Sequence, residues 1–318
     1  GFTLPLPFWR LCILTEAGNP RRFTAVFIYH HALGDGSSGK SFHRTFLREL
    51  QDAASLSPEK VERVIPSPKT PLLPNLEQIH RLPVSIPFLL NAGFKAKVWN
   101  RRQRGLWTGG IVQWPVETLV RHVTLPKSLS SSLTTVCREH STTITALLQT
   151  AIARGLFANI PDTYTKLKCC SAVSTRRWLP DIITDDSLGV WVEDYEESYK
   201  RNAINTPQFP WTEVQRSRRT IQAVLNRKGK NATSNLLRFV RDYYQELFMS
   251  QLGNPRMTSY ELSNIGTIGI DQALDSGKPI LGRMAFSQSA NLVGGAIMVS
   301  TVTGGDGCLA LTFTWQKD

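Results

Sequence analysis

Seven prolines fall between Ser55 and Pro87 of this 318-residue chain. Each removes a backbone donor and fixes its own φ, so neither a long helix nor a central strand can run through most of that stretch. The fold must therefore be assembled from material on either side of a crossover. The length allows more than one compact body with its own core. The expected division is a first segment 1–54, a proline-rich crossover with a basic-aromatic end over 55–115, and a large lobe over 116–318. Because the first segment is short and begins with Gly, it is expected to be the incomplete remainder of an N-terminal lobe.

In that first segment Phe8–Leu14 and Phe23–Tyr29 are dense in apolar and aromatic residues, with the turn-like Glu16-Ala17-Gly18-Asn19-Pro20 between them. They read as a hairpin or as neighbouring strands. Ser41–Leu50 follows with Phe42, Phe46, Leu47 and Leu50 at helical spacing. Phe94–Trp107 interleaves basic and aromatic residues, the pattern of a segment touching a membrane surface or phosphates, or of a solvated helix packing Phe94, Val98 and Leu106.

Beyond it a strand is expected at Val120–Leu125 and helices at Ser128–His140 and Thr142–Phe157, the second with Ile144, Leu147, Leu148, Ala151, Ile152 and Leu156 on one face. Strands follow at Leu167–Val173 and Gly189–Val192, and a basic helix pair over Pro210–Leu252. The last third, Leu262–Ile270, Arg283–Gln288, Gly294–Thr301 and Cys308–Trp315, reads as a strand meander. His43 and His140 are expected at the surface.

Hydrophobic residues are 41% and charged residues 19% of the chain, as in ordinary globular proteins. A net charge of +12 suits anionic partners, but no RNP, zinc-knuckle or helix-turn-helix pattern accompanies it, and nucleic acid is not expected as a partner. Five scattered cysteines without a C-x-x-C pair fit a reduced, cytoplasmic protein and offer no metal site. No signal peptide is recognisable, so Asn231-Ala232-Thr233 is read as a chance sequon. No transmembrane segment is expected, which leaves peripheral membrane contact open, and the sequence carries no reading of oligomeric state.

The twelve residues His30–Ser41, HHALGDGSSGKS, satisfy two catalytic patterns at once. From Gly34 they read G-x-x-x-x-G-K-S, a phosphate-binding loop between strand and helix, in which Lys40 would reach phosphates and Ser41 a magnesium ion. Such a domain should continue as alternating strands and helices with an acidic strand end. Here the proline-rich crossover follows, and Ile265–Asp271, with two internal glycines, is the sole tolerable acidic strand. From His30 the same residues read H-H-x-x-x-D-G. A histidine at a strand end can present an imidazole that titrates near neutrality, as a general base requires, while Gly34 and Gly36 permit a tight turn and Asp35 can pair with an arginine.

HHALGDG resembles the motif of the chloramphenicol-acetyltransferase-like superfamily, which includes plant BAHD enzymes, nonribosomal peptide condensation domains and fungal alcohol acetyltransferases. Ala172–Pro180 (AVSTRRWLP) and Glu261–Gly266 (ELSNIG) are similar to two further stretches of that group, the second to the S-N-x-G strand of the fungal branch. The plant D-F-G-W-G motif has no counterpart. The resemblance implies an α/β, two-layer α+β sandwich with two lobes and mixed sheets flanked by helices. It implies that Arg176 pairs with Asp35, a structural residue, and that Leu188-Gly189-Val190 opens the next strand.

It further implies direct transfer of an acyl group, most simply acetyl, from acetyl-CoA or another acyl-CoA to a small-molecule alcohol, with no bound cofactor or metal. His31 would be the base, Ser263 or Asn264 the oxyanion donors, and His30 a packed strand residue supporting the site with Gly36 and Arg176. The alternatives are a truncated, catalytically defective family member, a condensation-type enzyme acting on carrier-protein thioesters, and the P-loop NTPase.

Overall fold

The computed structural model describes residues 6–54, 56, 64–98, 104–269 and 277–317. The chain divides into two compact units. One comprises Gly1–Arg81, Ser174–Val192 and Ile268–Gly282, the other Leu82–Val173, Glu193–Thr267 and Arg283–Asp318.

In the first unit β1 (Trp9–Glu16) and β2 (Asn19–Tyr29) pair antiparallel, with Trp9 opposite Tyr29 and Leu14 opposite Thr24. Gly18, at φ +78°, makes the turn between them in a conformation that side chains disfavour. The ribbon carries apolar side chains on both faces, and one face meets α1 (Gly36–Ala53) through Phe27, whose ring stacks on Phe42 with centroids 3.7 Å apart. Trp9, Ile13 and Leu14 of β1 and Ile28 of β2 stay exposed, so neither strand is buried despite its apolar composition. The short α2 (Leu76–Ile79) interrupts the proline stretch, started by a reciprocal capping box between Asn75 and Gln78. Leu76 and Ile79 pack with Leu179, Ile183 and Trp191.

The second unit is a six-stranded sheet in the order β3-β8-β7-β6-β4-β5 with helices against one face. Its elements are α3 (Ile86–Val98), β3 (Thr118–Leu125), α4 (Lys127–Glu139), α5 (Ile144–Asn159), β4 (Lys166–Ser174), β5 (Val192–Lys200), α6 (Arg201–Ile204), α7 (Trp211–Asn226), β6 (Tyr260–Thr267), β7 (Ile297–Thr303) and β8 (Leu309–Gln316). Leu148, Ala153 and Phe157 of α5 join Leu167, Cys169, Leu262, Val299 and Leu311 of the sheet in one core. Each such large side chain stabilises the unit by roughly 1.5–3 kcal/mol through its burial.

Several sequence expectations change here. The C-terminal strands are not a meander: β6 runs parallel to both β4 and β7, while β7–β8 and β3–β8 are antiparallel. Parallel neighbours need a long crossover, which residues 268–296 supply. Arg283–Gln288 therefore forms no strand and passes along the sheet, the Gln288 carbonyl accepting from the Thr314 hydroxyl at 2.8 Å. The expected helix pair over 210–252 stops at Asn226, because Lys228, Gly229 and Asn231 all take positive φ, and only short 3-10 and π turns follow. Gly189–Trp191 is irregular, with β5 starting at Val192.

On α5 the polar Gln149 and Thr150 are fully buried while Ala151 is exposed, against the apolar-face reading. Gln149 Nε2 donates to Ser171 Oγ (2.8 Å) and Tyr195 OH (2.9 Å), and Thr150 donates to the Ala146 carbonyl. Those bonds offset part of the cost of burying the groups, the Gln149 Oε1 being left without a hydrogen bond. His140 is half-buried, its ring stacked on Trp211 at 3.8 Å.

Glu193 is buried at the start of β5, with Oε1 lacking a hydrogen bond. Burial first and the Asp194 charge second push its carboxyl up to about 7, opposed by Arg227. A carboxyl that binds its proton more tightly when folded makes stability fall as pH rises from the ordinary carboxylate range through that value. Thermal melts should show wild type losing stability between about pH 5 and pH 8, and Glu193→Gln recovering roughly 1–3 kcal/mol at the upper end. Parallel pH profiles for the two proteins would contradict this account.

Candidate active site

The turn after β2 is organised around one carboxylate. Asp35 has extended backbone and caps α1, its Oδ1 accepting from Ser38 N at 3.0 Å. The Arg176 guanidinium meets it in a two-pronged pair, Nη1 to Oδ2 at 2.7 Å and Nη2 to Oδ1 at 2.9 Å. Trp191 N adds a further bond to Oδ2 at 3.1 Å. Asp35 is 4% exposed and Arg176 5%, so both charges are out of water and depend on each other.

The surroundings are as closely fitted. Arg176 opens a 3-10 turn, Arg176–Trp178, directly after β4. Its guanidinium lies over the Trp191 ring, 5.0 Å from the centroid, and the indole donates to the Pro74 carbonyl at 3.2 Å. The Ser38 hydroxyl donates to the Gly189 carbonyl at 2.8 Å and accepts from Gly189 N at 3.1 Å. A Cβ on Gly189 would come within 2.4 Å of the Trp191 ring, so only glycine fits. Ser38, Trp191 and Gly189 were not singled out for this network by the sequence. Ser38 carried a readable signal, since it occupies the helix position that a capping aspartate bonds.

The glycines of the motif act differently from the expected tight turn. Neither Gly34 nor Gly36 has positive φ. Gly36 is simply the first residue of α1, while Gly34 is required by close approach, a Cβ there falling 2.7 Å from Ser38 Cβ. Tyr29, the last residue of β2, donates its hydroxyl to the Asp35 carbonyl at 2.7 Å, and burial, with the Asp35 charge second, pushes that phenol up to about 12.

His30 and His31 therefore sit on a turn held at both ends. His30 N donates to the Phe8 carbonyl at 2.8 Å, and the His30 ring stands edge-on to Phe8 while Nδ1 accepts from Ala32 N at 3.1 Å. His30 is exposed, which corrects its reading as a packed strand residue. His31 is exposed too, with Ala32 and Leu33 of the motif beside it, and its side chain has no hydrogen bond in this frame among the described residues. His43, expected at the surface, is half-buried on α1, and burial lowers its imidazole pKa.

The phosphate-loop alternative fails on the same geometry. A phosphate would need the N-terminus of α1, and the Asp35 carboxylate already occupies it. The Ser41 hydroxyl, which would hold a metal ion, donates to the Asp186 carbonyl at 2.6 Å. Lys40 is half-buried, its pKa lowered mainly by that burial. Asp271 of the supposed acidic strand lies outside the described residues.

In the second unit, Ser263 and Asn264 are neighbours on β6 that face opposite ways. Asn264 shares the helix-packed side with Leu262, its Nδ2 donating to Thr145 Oγ1 at 3.0 Å and its Oδ1 accepting from Gly266 N at 2.8 Å. Ser263, half-buried, stands on the other face in register with Ser300 of β7.

A sequence model of the alcohol acetyltransferase family matches residues 3–318. The chain belongs to the alcohol acetyltransferase family. It is 33% identical to the probable alcohol acetyltransferase crmB of Aspergillus fumigatus, over 98% of this chain and 68% of that protein. A second relative, the probable alcohol acetyltransferase FCK4 of Fusarium pseudograminearum, is 22% identical over 98% of this chain and 67% of its own length. Among solved structures, TRI3 trichothecene 15-O-acetyltransferase of Fusarium sporotrichioides superposes with TM-score 0.67 at 13% identity, covering 98% of this chain and 67% of that one. TRI101 of the same organism, complexed with coenzyme A and T-2, superposes with TM-score 0.54 at 15% identity over 98% and 66%. These likenesses establish the mixed α/β acyltransferase fold. The chain spans about two thirds of the length of the relatives it matches.

Breaking the buried pair from one side should be costly in this family member. Asp35→Asn is expected to lower unfolding free energy by about 3–5 kcal/mol, because it strands the Arg176 charge. The double variant Asp35→Asn/Arg176→Met should lose less than the two single changes added together. Additive losses in urea titrations would mean that the two residues are not energetically joined.

Proposed function

We propose that the chain moves an acyl group, most simply acetyl, from a coenzyme A thioester to the hydroxyl of a small-molecule alcohol. The observation that carries this reading is the match to the alcohol acetyltransferase family across residues 3–318, with its H-H-x-x-x-D-G residues folded into a rigid turn that exposes His31.

In the proposed reaction His31 takes the proton from the attacking hydroxyl as that oxygen bonds to the thioester carbonyl carbon. The tetrahedral oxyanion then collapses, the carbon–sulfur bond breaks, and the proton on His31 passes to the departing thiolate. The products are an ester and the free thiol, with His31 restored and no acyl-enzyme formed.

Asp35 and Arg176 keep the turn in place and stay out of the chemistry. Of the two oxyanion candidates Ser263 is preferred, because Asn264 already uses its amide on Thr145 and Gly266. A correctly aimed hydroxyl donor would lower the barrier by about 3 kcal/mol.

The test follows thiol release from acetyl-CoA over a panel of alcohols. His31→Ala should reduce kcat by about 10²–10⁴-fold while the melting transition is unchanged, since His31 is exposed and holds nothing. Ser263→Ala should cost about 10²-fold. Release at the wild-type rate in His31→Ala would remove that residue from the mechanism, and no release by wild type with any alcohol would support a catalytically defective chain.

A further inference from the structure

The second unit carries an exposed apolar surface that includes none of the residues assigned to the proposed acyl transfer. On α3, Phe88 and Ala92, one turn apart, form the half-buried side. The remainder of a surface helix is ordinarily polar. Here it presents Ile86 (74% exposed), Leu89, Leu90 (69%) and Phe94 (53%) to solvent. Ile86, Leu90 and Phe94 recur at every fourth residue, so they make one stripe along the helix.

The chain just before that helix is bonded to a turn that leads into a second stretch with exposed apolar residues. Just before α3, the Pro83 carbonyl accepts from Asn231 N at 2.9 Å and Ser85 N donates to Asn231 Oδ1 at 2.8 Å. The start of α3 is thereby joined to the turn that follows α7. Arg227, Lys228 and Lys230 are exposed in this turn, and beyond it Phe239 (55%), Tyr243, Tyr244 (60%) and Phe248 are exposed as well. The acidic groups among them are occupied locally. Glu246 accepts from the backbone of Arg241 and Asp242, and Asp242 from Gln245 N.

Charge points to the occupant. Between Glu77 and Glu117 the sequence has no acidic residue and six lysines and arginines. Exposed aliphatic and aromatic side chains with tyrosines among them, accompanied by the exposed Arg227, Lys228 and Lys230, are what a bilayer interface with anionic headgroups accommodates. At thirteen residues α3 is too short to span a membrane, and no helix among the described residues is long and apolar enough to do so. We propose that α3 and the 227–248 stretch form a lipid-facing surface, which seats the chain flat on membranes bearing anionic headgroups. Such a seat would bring an enzyme of membrane-soluble alcohols to its substrate without a transmembrane anchor.

Flotation of the full chain with phosphatidylcholine vesicles, with and without phosphatidylserine, tests this. Wild type should float with the phosphatidylserine vesicles and less so with phosphatidylcholine alone. Leu90→Asp/Phe94→Asp should weaken partitioning by roughly tenfold on both, while Lys228→Glu/Lys230→Glu should remove mainly the phosphatidylserine-dependent part. All four positions are exposed, so melting transitions should match wild type. The proposal is overturned if wild type stays at the bottom of the gradient with both vesicles, or if the variants float like wild type. It is also overturned if Leu90→Asp/Phe94→Asp abolishes a concentration-dependent dimer of a protein that does not float, which would assign the stripe to a second copy.

Discussion

The two-pronged bond between Asp35 and Arg176 organises the unit in which it lies. A carboxylate and a guanidinium removed from water each carry a desolvation cost of several kcal/mol, and their attraction offsets it only when the remaining hydrogen-bonding sites are filled. Here most of them are: Ser38 N and Trp191 N bond the carboxylate, and Arg176 rests on the indole of Trp191, its buried Nε alone in the guanidinium lacking a hydrogen bond. One charged pair thus joins the start of α1, the segment before β5 and, through the Trp191 indole and Pro74, the proline-rich stretch. The constraint reaches the catalytic motif because Asp35 lies only four residues beyond His31. In the proposed reaction, a side chain that performs no chemistry determines where the His31 imidazole begins.

The second unit is organised by different physics. Its sheet is held by a continuous apolar core under α5, with a small polar centre inside it where Gln149 reaches Ser171 and Tyr195. A buried network of this kind specifies how helix and sheet register, because a slipped helix would leave the amide unpaired. The same sheet separates Ser263 from Asn264. Packing commits the asparagine to the helix side, where it joins α5 to the end of β6, and leaves the serine on the opposite face. Two residues that a linear pattern treats alike become chemically distinct.

The division between local and long-range information explains what could be read in advance. The hairpin, the helix after the motif, α4 and α5 were legible because each is written in the spacing of neighbouring apolar residues and turn formers. The Asp35–Arg176 pair was anticipated by resemblance, since residues 141 apart in sequence share no local pattern. The parallel run of β6 beside β4 and β7 was not legible. Strand composition does not record which neighbour a strand chooses, and a long connection permits either direction. Gln149 was missed for a similar reason: a polar residue on an apolar stripe looks like a break until its partners on other strands are known.

By itself the sequence determined the strand-turn-helix that carries HHALGDG, which rests on residue type and short spacing, and, through the resemblance of its short motifs, the family and the mixed α/β class that the family implies. The tertiary structure alone decided which glycine is required and why, that the helix N-terminus is filled by Asp35 and cannot take a phosphate, and that Ser263 and Asn264 face opposite ways. It also decided that the apolar stripe of α3 is left uncovered. All of these depend on which distant atoms come within a few ångströms of each other, and that is settled by packing, not by any local run of residues.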